Sequence, residues 1–269
     1  QAVRKKKDSS IVVGCRLVKE EAAQGFFSAG STGACLAAAT LVMGRAKGIA
    51  RPALATVIPS PVRPVVMCDV GANADCKPEY LVQFGRMGSV YAQKMLGIEQ
   101  PRAALLNIGE EEEKGSQFAQ EAHKLMREKL PNFAGNAEGG DVLAANFDRV
   151  IVAQPLGDVN TRRLERELVL AYETGAAVTV VLTIEGTSKV LFKTLKDIMM
   201  KSAVTKLGAL ALKGGLADLK RQVSADTYGG APLLGVKGAC IVGHGSSNET
   251  AVKNGIAVAA ATVRAHVPE

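Results

Sequence analysis

The chain has 269 residues, 47% of them hydrophobic and 22% charged, a composition typical of a globular protein with a sizeable core. Its formal net charge of +7 favours an anionic partner such as phosphate, an acidic protein or anionic lipid. Aromatic residues make up only 4% and do not alternate with basic ones, which argues against nucleic acid as a partner.

Helical patterns and short apolar runs alternate along the first half of the chain. A helical pattern over 11–23 precedes the strand "GFFSAG", and the next helix is predicted to end at Gly48. Two strands, "RPALATVI" and "RPVVMCDVG", lead into a helix between Pro78 and Gly97. The strand "RAALLNIG" and a helix that stops before Pro131 follow. This alternation predicts an α/β fold with a largely parallel sheet and flanking helices.

The segment 184–227 is a long, lysine-rich helical pattern that breaks at Gly214-Gly215. We predict a protruding helical hairpin that faces a membrane, a dimer partner, or both, with an apolar tip formed by Leu207, Leu210 and Leu212. A strand hairpin in "YGGAPLLGVKGACIVGHGSS" and a closing helix capped by Ser247 or Asn248 come next. The predicted α/β core therefore comprises 1–183 and 228–269.

Three predicted strands end in small or polar loops: "FFSAGSTG", "VVMCDVGANADCKPE" and "ALLNIGEEEEKGS". Ligands of parallel α/β sheets bind beyond the carboxyl ends of the strands. We therefore expect the three loops to converge on one edge of the sheet and to form one site there.

The first loop, 28–33, offers backbone N–H groups at a helix start and the hydroxyls of Ser28, Ser31 and Thr32. Such a loop suits a phosphate or an acyl oxyanion. It matches neither of the common glycine-rich nucleotide motifs. A tight turn between strand and helix is the alternative, because glycine and serine are ordinary turn residues.

In the second loop, Asn73 and Lys77 follow a buried strand and are candidates to bind a substrate anion. In the third loop, Asn107, Gly109 and Lys114 are better candidates than the four glutamates at 110–113, which we expect to form a solvated face.

His244 lies between two glycines in "GHGSS" and is predicted to be an accessible acid or base. A histidine that only hydrogen-bonds a neighbouring backbone group is the alternative, while His123 and His266 lie on predicted helix faces. The five cysteines are odd in number and lack CxxC spacing, so we expect free, mostly buried thiols and no metal site. We expect no secretory signal, because "QAVRKKKDSS" lacks an apolar core, and no membrane-spanning run.

Several segments, taken in order, resemble the bacterial phosphate acyltransferase (PlsX) family of phospholipid synthesis. They are "AVRKKKDSS", "SAGSTGA", "GRAKGIARPALA", "DVGANADCKPEYLVQFGRMGSVYAQ", "LLNIGEEEEKG", "FAGNAEGGD", "IEGTSKVLFK", "YGGAPLLGVKG" and "HGSSN". They cover most of 2–148 and 183–258, and the combination is more specific than any single piece.

The resemblance implies a fold related to phosphotransacetylases and isocitrate dehydrogenase-like enzymes. It implies transfer of a fatty acyl group from acyl carrier protein to inorganic phosphate, without a cofactor, to give acyl-phosphate. It further implies a cytoplasmic homodimer that associates peripherally with the membrane through 184–227, where a glycerol-3-phosphate acyltransferase uses the product.

The resemblance also implies roles for individual residues. The catalytic candidates are Asn73, Lys77, Lys114 and His244. The candidates for binding substrate and phosphate are Ser28, Gly30, Ser31, Thr32, Gly33, Asp69, Asn107, Gly109, Asn136 and Ser246.

Two departures from the family pattern are visible. Family members start about a quarter of the chain earlier, with a loop like "DAMGGDHAP", and carry a "TDGFTGN"-like motif where this sequence predicts an amphipathic helix at 161–174. A non-catalytic or weakened dimeric scaffold is therefore one alternative. A coenzyme A-dependent enzyme like the phosphotransacetylases is the other.

Overall fold

The computed structural model describes residues 2–58, 64–73, 75–138, 149–152 and 228–268, together with residues 141 and 214. The predicted helix at 161–174 and the three leucines of the apolar tip lie outside the described residues. So does the predicted hairpin 184–227, apart from Gly214. No helix in the described ranges combines the length and the apolarity needed to cross a membrane.

Within the described residues, six α-helices and eight strands alternate in the predicted manner. The helices are α1 (Ala2–Lys5), α2 (Ser10–Lys19), α3 (Thr32–Ala38), α4 (Pro78–Leu96), α5 (Gln117–Lys129) and α6 (Glu249–Arg264). The strands are β1 (Gly25–Ser28), β2 (Ala53–Ile58), β3 (Val65–Cys68), β4 (Arg102–Leu106), β5 (Phe133–Ala137), β6 (Arg149–Val152), β7 (Ala231–Leu234) and β8 (Ala239–Val242).

The predicted ends of helix α4 are confirmed. Pro78 occupies its first turn, where a missing N–H costs no helical hydrogen bond. Gly97 follows its last residue in the left-handed conformation, with φ of 67°. Asn248 is confirmed as the cap of α6, where its Oδ1 accepts a hydrogen bond from the N–H of Ala251 at 2.9 Å.

The prediction that the helix after β1 ends at Gly48 is wrong. Helix α3 passes into a π-helical turn at Ala39–Met43, and Gly44 ends it with φ of 91°. Gly48 also has positive φ, but it lies in the loop that follows. Both glycines satisfy the sequence signal for a helix end, and the structure uses the first of them.

The eight strands form one sheet in the order β1-β8-β7-β2-β3-β6-β4-β5. Four neighbouring pairs are parallel and three are antiparallel, which confirms a mostly parallel α/β sheet. The predicted hairpin near the end of the chain is also confirmed, because β7 and β8 pair antiparallel through Ala231 with Val242.

The prediction that the three loops converge on one edge is wrong for the first loop. Strand β2 runs antiparallel to both of its neighbours, β3 and β7, and β7 runs antiparallel to β8. Strands β8 and β1 therefore run opposite to β3, β6, β4 and β5. The loop after β1 lies at one edge of the sheet, and the loops after β3 and β4 lie at the other.

Helix α4 packs on the sheet at unusually short range. A Cβ atom on Gly88 would lie 2.4 Å from Cγ1 of Val150 in β6, and one on Gly85 would lie 2.7 Å from Cδ2 of Leu130. These glycines let the helix backbone approach the core, where Phe84 and Leu81 are fully buried.

The prediction of free, mostly buried thiols is confirmed. All five cysteines are free, and only Cys76 is partly exposed. Burial raises the pKa of Cys15 to about 11 and that of Cys76 to about 12, so both thiols stay protonated at neutral pH.

Candidate functional site

The ends of β1 and β8 bring two of the predicted site loops together. The strands are parallel and in register up to the pair Ser28 and Val242. The N–H of Gly243 then donates to the carbonyl oxygen of Ser28 at 2.8 Å. Loops 28–33 and 243–248 therefore leave the sheet side by side, and we call this place the β1/β8 edge.

Two serines shape the loop 28–33. The Oγ of Ser28 accepts a hydrogen bond from the N–H of Gly30 at 3.1 Å. The Oγ of Ser31 caps helix α3 by accepting from the N–H of Ala34 at 3.3 Å. The predicted alternative of a tight turn is therefore present in the structure. The hydroxyl of Ser31 keeps its own hydrogen as a donor, so the turn does not exhaust the loop's capacity to bind an anion.

Beneath this loop lies the buried thiol of Cys35, in the first turn of α3. Burial raises its pKa, and a hydrogen bond with the side chain of Ser28 partly offsets that rise. The thiol is therefore a neutral neighbour of the loop and supplies no negative charge that would repel an anion.

His244 is exposed and held by two serines. The backbone N–H of His244 donates to Oγ of Ser247 at 3.1 Å. Its Nδ1 accepts from the N–H of Ser246 at 3.2 Å and lies 2.6 Å from the Oγ of the same residue. Because Nδ1 accepts a backbone N–H, the proton of the neutral imidazole belongs on Nε2. The ring thus combines both predicted alternatives, with a backbone hydrogen bond on one nitrogen and a second nitrogen left for proton transfer.

The opposite edge is organised by the buried carboxylate of Asp69. Its Oδ1 accepts from the N–H groups of Leu54 at 2.7 Å and Ala72 at 3.2 Å. Its Oδ2 accepts from the backbone N–H of Asn73 at 2.9 Å and from Nδ2 of the same residue at 3.0 Å. Burial raises the pKa of the carboxyl, and these hydrogen bonds oppose the rise. This network makes Asp69 a structural anchor of its loop.

Asn73 belongs to the same network. Its Nδ2 also donates to the carbonyl oxygen of Pro52 at 2.9 Å, while its Oδ1 is buried and has no hydrogen-bond partner among the described residues. The amide therefore connects the loop after β3 to the start of β2.

Two more predicted site residues hold the loop after β4. The Nδ2 of Asn107 donates to the carbonyl oxygen of Lys114 at 3.0 Å, and that of Asn136 donates to the carbonyl oxygen of Glu111 at 2.7 Å. Both asparagines are buried, and both bind the backbone of the loop. A Cβ on Gly109 would lie 2.8 Å from Cγ of Lys114, so the loop is folded tightly on itself.

The charged residues of this edge face solvent. Lys77 and Lys114 are exposed, and Lys77 precedes helix α4 without capping it through its side chain. The four glutamates are exposed as predicted, and Glu112 pairs with Arg127 at 2.6 Å. Neither lysine lies at the sheet edge that carries the loop 28–33, because the strands preceding them run the other way.

The structure thus separates the predicted site residues into two groups. Loop 28–33 and the His244 loop meet at the β1/β8 edge, while the residues after β3 and β4, and Asn136 near the end of β5, lie at the opposite edge. Ser247, which the sequence suggested only as a helix cap, accepts a hydrogen bond from the backbone N–H of His244. The adjacent serines in "HGSSN" were the available signal, but Asn248 competes for the capping position.

Comparison with known proteins gives one consistent answer. The sequence model of a family described as "Fatty acid synthesis protein" matches residues 1–269. A phosphate acyltransferase from Desulfitobacterium hafniense (strain Y51) is 46% identical over 260 residues, which is 96% of this chain and 72% of that protein. One from Acidobacterium capsulatum is 43% identical over 261 residues, covering 97% and 71%.

Solved structures show the same fold at low identity. A phosphotransacetylase from Streptococcus pyogenes matches with a TM-score of 0.56 at 16% identity, covering 94% of this chain and 67% of that one. A branched-chain phosphotransacylase from Enterococcus faecalis V583 matches with a TM-score of 0.52 at 14% identity, covering 94% and 78%. These matches confirm the predicted phosphotransacetylase-like α/β fold.

Proposed function

The chain belongs to the fatty acid synthesis protein family, whose matched members are phosphate acyltransferases, and we propose that it transfers a fatty acyl group from acyl carrier protein to inorganic phosphate. The observation that carries the proposal is the 46% identity to a phosphate acyltransferase across 96% of the chain. The meeting of two small-residue loops at the β1/β8 edge supports it with a place for the reaction.

The proposed reaction is a direct displacement at the thioester. A phosphate oxygen attacks the carbonyl carbon, the new C–O bond forms, and the C–S bond breaks with its electron pair leaving on sulfur. The proton lost by phosphate ends on the thiolate, so the products are acyl-phosphate and the free thiol of the carrier. The reaction needs donors for the phosphate and the oxyanion, and a route for one proton.

The β1/β8 edge offers both kinds of group. We assign phosphate to the loop of Ser28, Gly30, Ser31, Thr32 and Gly33, where serine and threonine hydroxyls lie beside the first N–H groups of helix α3. We assign delivery of the proton to the leaving thiolate to the Nε2–H of His244, because its Nδ1 is already engaged with Ser246, and the proton lost by phosphate then replaces it on Nε2. The net charge of +7 favours the approach of an acidic carrier protein.

We assign a second role, binding of an anionic part of the substrate, to the opposite edge. Lys77 and Lys114 are exposed cations, and we retain them as binders of an anionic part of the substrate. The loops that carry Lys77 and Lys114 are held by four side chains that bind backbone groups, those of Asp69, Asn73, Asn107 and Asn136. Gly109 permits the tight fold of the third loop.

One assay tests this function and its two alternatives. The protein is incubated with phosphate and either long-chain acyl carrier protein or the matching acyl-coenzyme A, and acyl-phosphate is trapped as the hydroxamate. We expect product with the carrier protein. Product with coenzyme A alone would favour the phosphotransacetylase-like alternative. A folded dimer without product from either thioester would favour the scaffold.

We also propose that the chain acts as a homodimer and binds membranes peripherally through 184–227, as the family resemblance implies. Replacement of Leu207, Leu210 and Leu212 by aspartate should abolish binding to anionic vesicles without changing the oligomeric state in sedimentation. Unchanged vesicle binding would contradict the membrane role, and a loss of the dimer would favour the subunit contact.

A further inference from the structure

An apolar cavity of about 240 Å³ opens on the sheet between helices α4 and α6. Its floor is the turn side of the β7–β8 hairpin, and helix α4 forms one wall. Its lining includes Lys47, Arg86 and Val90. None of the described residues that line the cavity is acidic, and the two charged ones among them, Lys47 and Arg86, are both cations.

We propose that this cavity binds the aliphatic tail of a long-chain amphiphilic anion, with its phosphate or carboxylate head group at Lys47 and Arg86. The choice of a long-chain ligand rests on the proposed function, and the site itself rests on the cavity's lining. An apolar pocket with a few convergent polar groups is the usual form of a small-molecule site. Here the charged residues in the described lining are cations, so the complementary ligand is an apolar chain that ends in a negative charge.

The two cations are available to a head group. Among the described residues, Lys47 is exposed and has no carboxylate partner. Arg86 donates from Nη2 to the carbonyl oxygen of Lys129 at 2.7 Å, which orients the guanidinium but does not neutralise its charge. Among the described lining residues, a head group therefore meets two cations and no acidic side chain.

The cavity is also open to solvent on one side, where the aliphatic tail of a ligand can enter. Val90, one turn after Arg86 on helix α4, keeps 39% of its surface exposed although it lines an apolar space. A volume of about 240 Å³ lies below the usual range of about 300–1,000 Å³ for a complete drug-sized ligand. The cavity therefore suits part of a chain, with the head group left at the rim.

This site is distinct from the β1/β8 edge. The cavity touches Leu233–Val236 and Gly238–Cys240, on both sides of the hairpin turn. His244 follows the other end of β8, beyond the pair of Ala231 with Val242. A ligand in the cavity therefore leaves the loop 243–248 uncovered, and binding is measurable without phosphate, carrier protein or turnover.

A fluorescent fatty acid, cis-parinaric acid, is titrated into the whole chain, and palmitate and hexadecyl phosphate are used to displace it. Val90→Asp should raise the dissociation constant about tenfold or more, because it places a carboxylate in the apolar cavity. Lys47→Ala should weaken binding several-fold at low salt, and added salt should reduce that difference. The displacement order of the two competitors tells whether carboxylate or phosphate is preferred.

Two matched variants serve as controls. Ile256→Asp adds the same charge on α6 at a side chain that is 56% exposed and outside the cavity, and Lys124→Ala removes a lysine from α5. Both should bind the probe like the unmodified chain. The proposal is overturned if Val90→Asp and Lys47→Ala also bind the probe like the unmodified chain, or if Val90→Asp changes only the oligomeric state in sedimentation. Thermal unfolding shows whether each variant is folded. If Val90→Asp is not folded, Lys47→Ala still tests the proposal, because Lys47 is exposed.

Discussion

The N–H of Gly243 donates to the carbonyl oxygen of Ser28 at 2.8 Å, although the two residues lie more than 200 positions apart in the chain. This bond continues the parallel pairing of β1 and β8 beyond their last paired residues. It fixes the starting points of the loop 28–33 and of the His244 loop relative to each other. A serine-rich turn and an exposed imidazole thereby become neighbours.

His244→Ala should reduce kcat/KM for acyl-phosphate formation about 10²- to 10⁴-fold, the usual contribution of a positioned acid or base. Ser246→Ala should reduce it about tenfold, because the ring loses one hydrogen bond that orients it. Steady-state kinetics over a range of pH measure both effects. Thr250→Ala, an exposed change in the same segment, should leave the rate unchanged. Equal rates for His244→Ala and the unmodified chain would remove the imidazole from the mechanism.

Gly33→Ala separates the function of the first loop from its stability. A Cβ there meets no atom within 4 Å, so alanine should leave the fold unchanged or stabilise it by up to about 1 kcal/mol. If phosphate approaches the backbone of this loop, the methyl group should raise the KM for phosphate. Denaturant unfolding and phosphate-dependent rates measure the two quantities. An unchanged KM would place the phosphate elsewhere.

Gly88→Ala should lower the free energy of unfolding by about 1–3 kcal/mol despite the better helix propensity of alanine. The added methyl would lie 2.4 Å from Cγ1 of Val150, so helix α4 must move away from β6. Urea titration gives the value, with Gly33→Ala as the matched change in a helix with open space. A stability equal to that of the unmodified chain would contradict the close packing described here.

Asp69→Ala should lower the free energy of unfolding by at least about 2 kcal/mol, since it leaves buried N–H groups of Leu54 and Asn73 without acceptors. Asp75→Ala removes an exposed carboxylate from the same loop and should change stability little. Comparison of the two variants in thermal unfolding distinguishes the anchoring network from a general effect of charge. Similar losses in both variants would refute the anchoring role.

His123 should make stability depend on pH below neutrality. Burial lowers its pKa, and Glu112 opposes this. The unfolded chain therefore binds a proton first as the pH falls, near the ordinary value of about 6.5. Stability should be full above that pH and decrease as the pH falls through the lowered pKa. His123→Leu should flatten this slope in urea titrations between about pH 5 and 7, whereas Gln117→Ala on the same helix should keep it.

Sequence patterns predicted local structure well where a single residue decides it. Pro78 and Gly97 mark the ends of helix α4 because each has a backbone preference that acts on its own. The sequence does not decide between Gly44 and Gly48 as the helix end, since both adopt positive φ. The direction of β1 was not decidable either. It depends on β2 pairing antiparallel with both β3 and β7, and alternating strands and helices do not reveal which strands become neighbours.

The candidate site was predicted in part for the same reason. The loops of Ser28 and His244 were both identified from their own residues, but their contact depends on a pairing between distant strands. Asp69 and Asn73 were identified as polar residues after a strand, whereas their hydrogen bonds to Pro52 and Leu54 required the neighbouring strand to be known.

The distance along the chain between β1 and β8 also has a consequence for synthesis on the ribosome. β1 is the outermost strand of the described sheet and pairs with β8, so its partner is made more than 200 residues later. At about 5–20 residues per second, that delay is roughly 10–40 s. During this time the apolar strand "GFFS" and the following loop have no partner strand to pair with. The emergence of β8, and not that of the first half of the chain, is therefore the step that completes the β1/β8 edge.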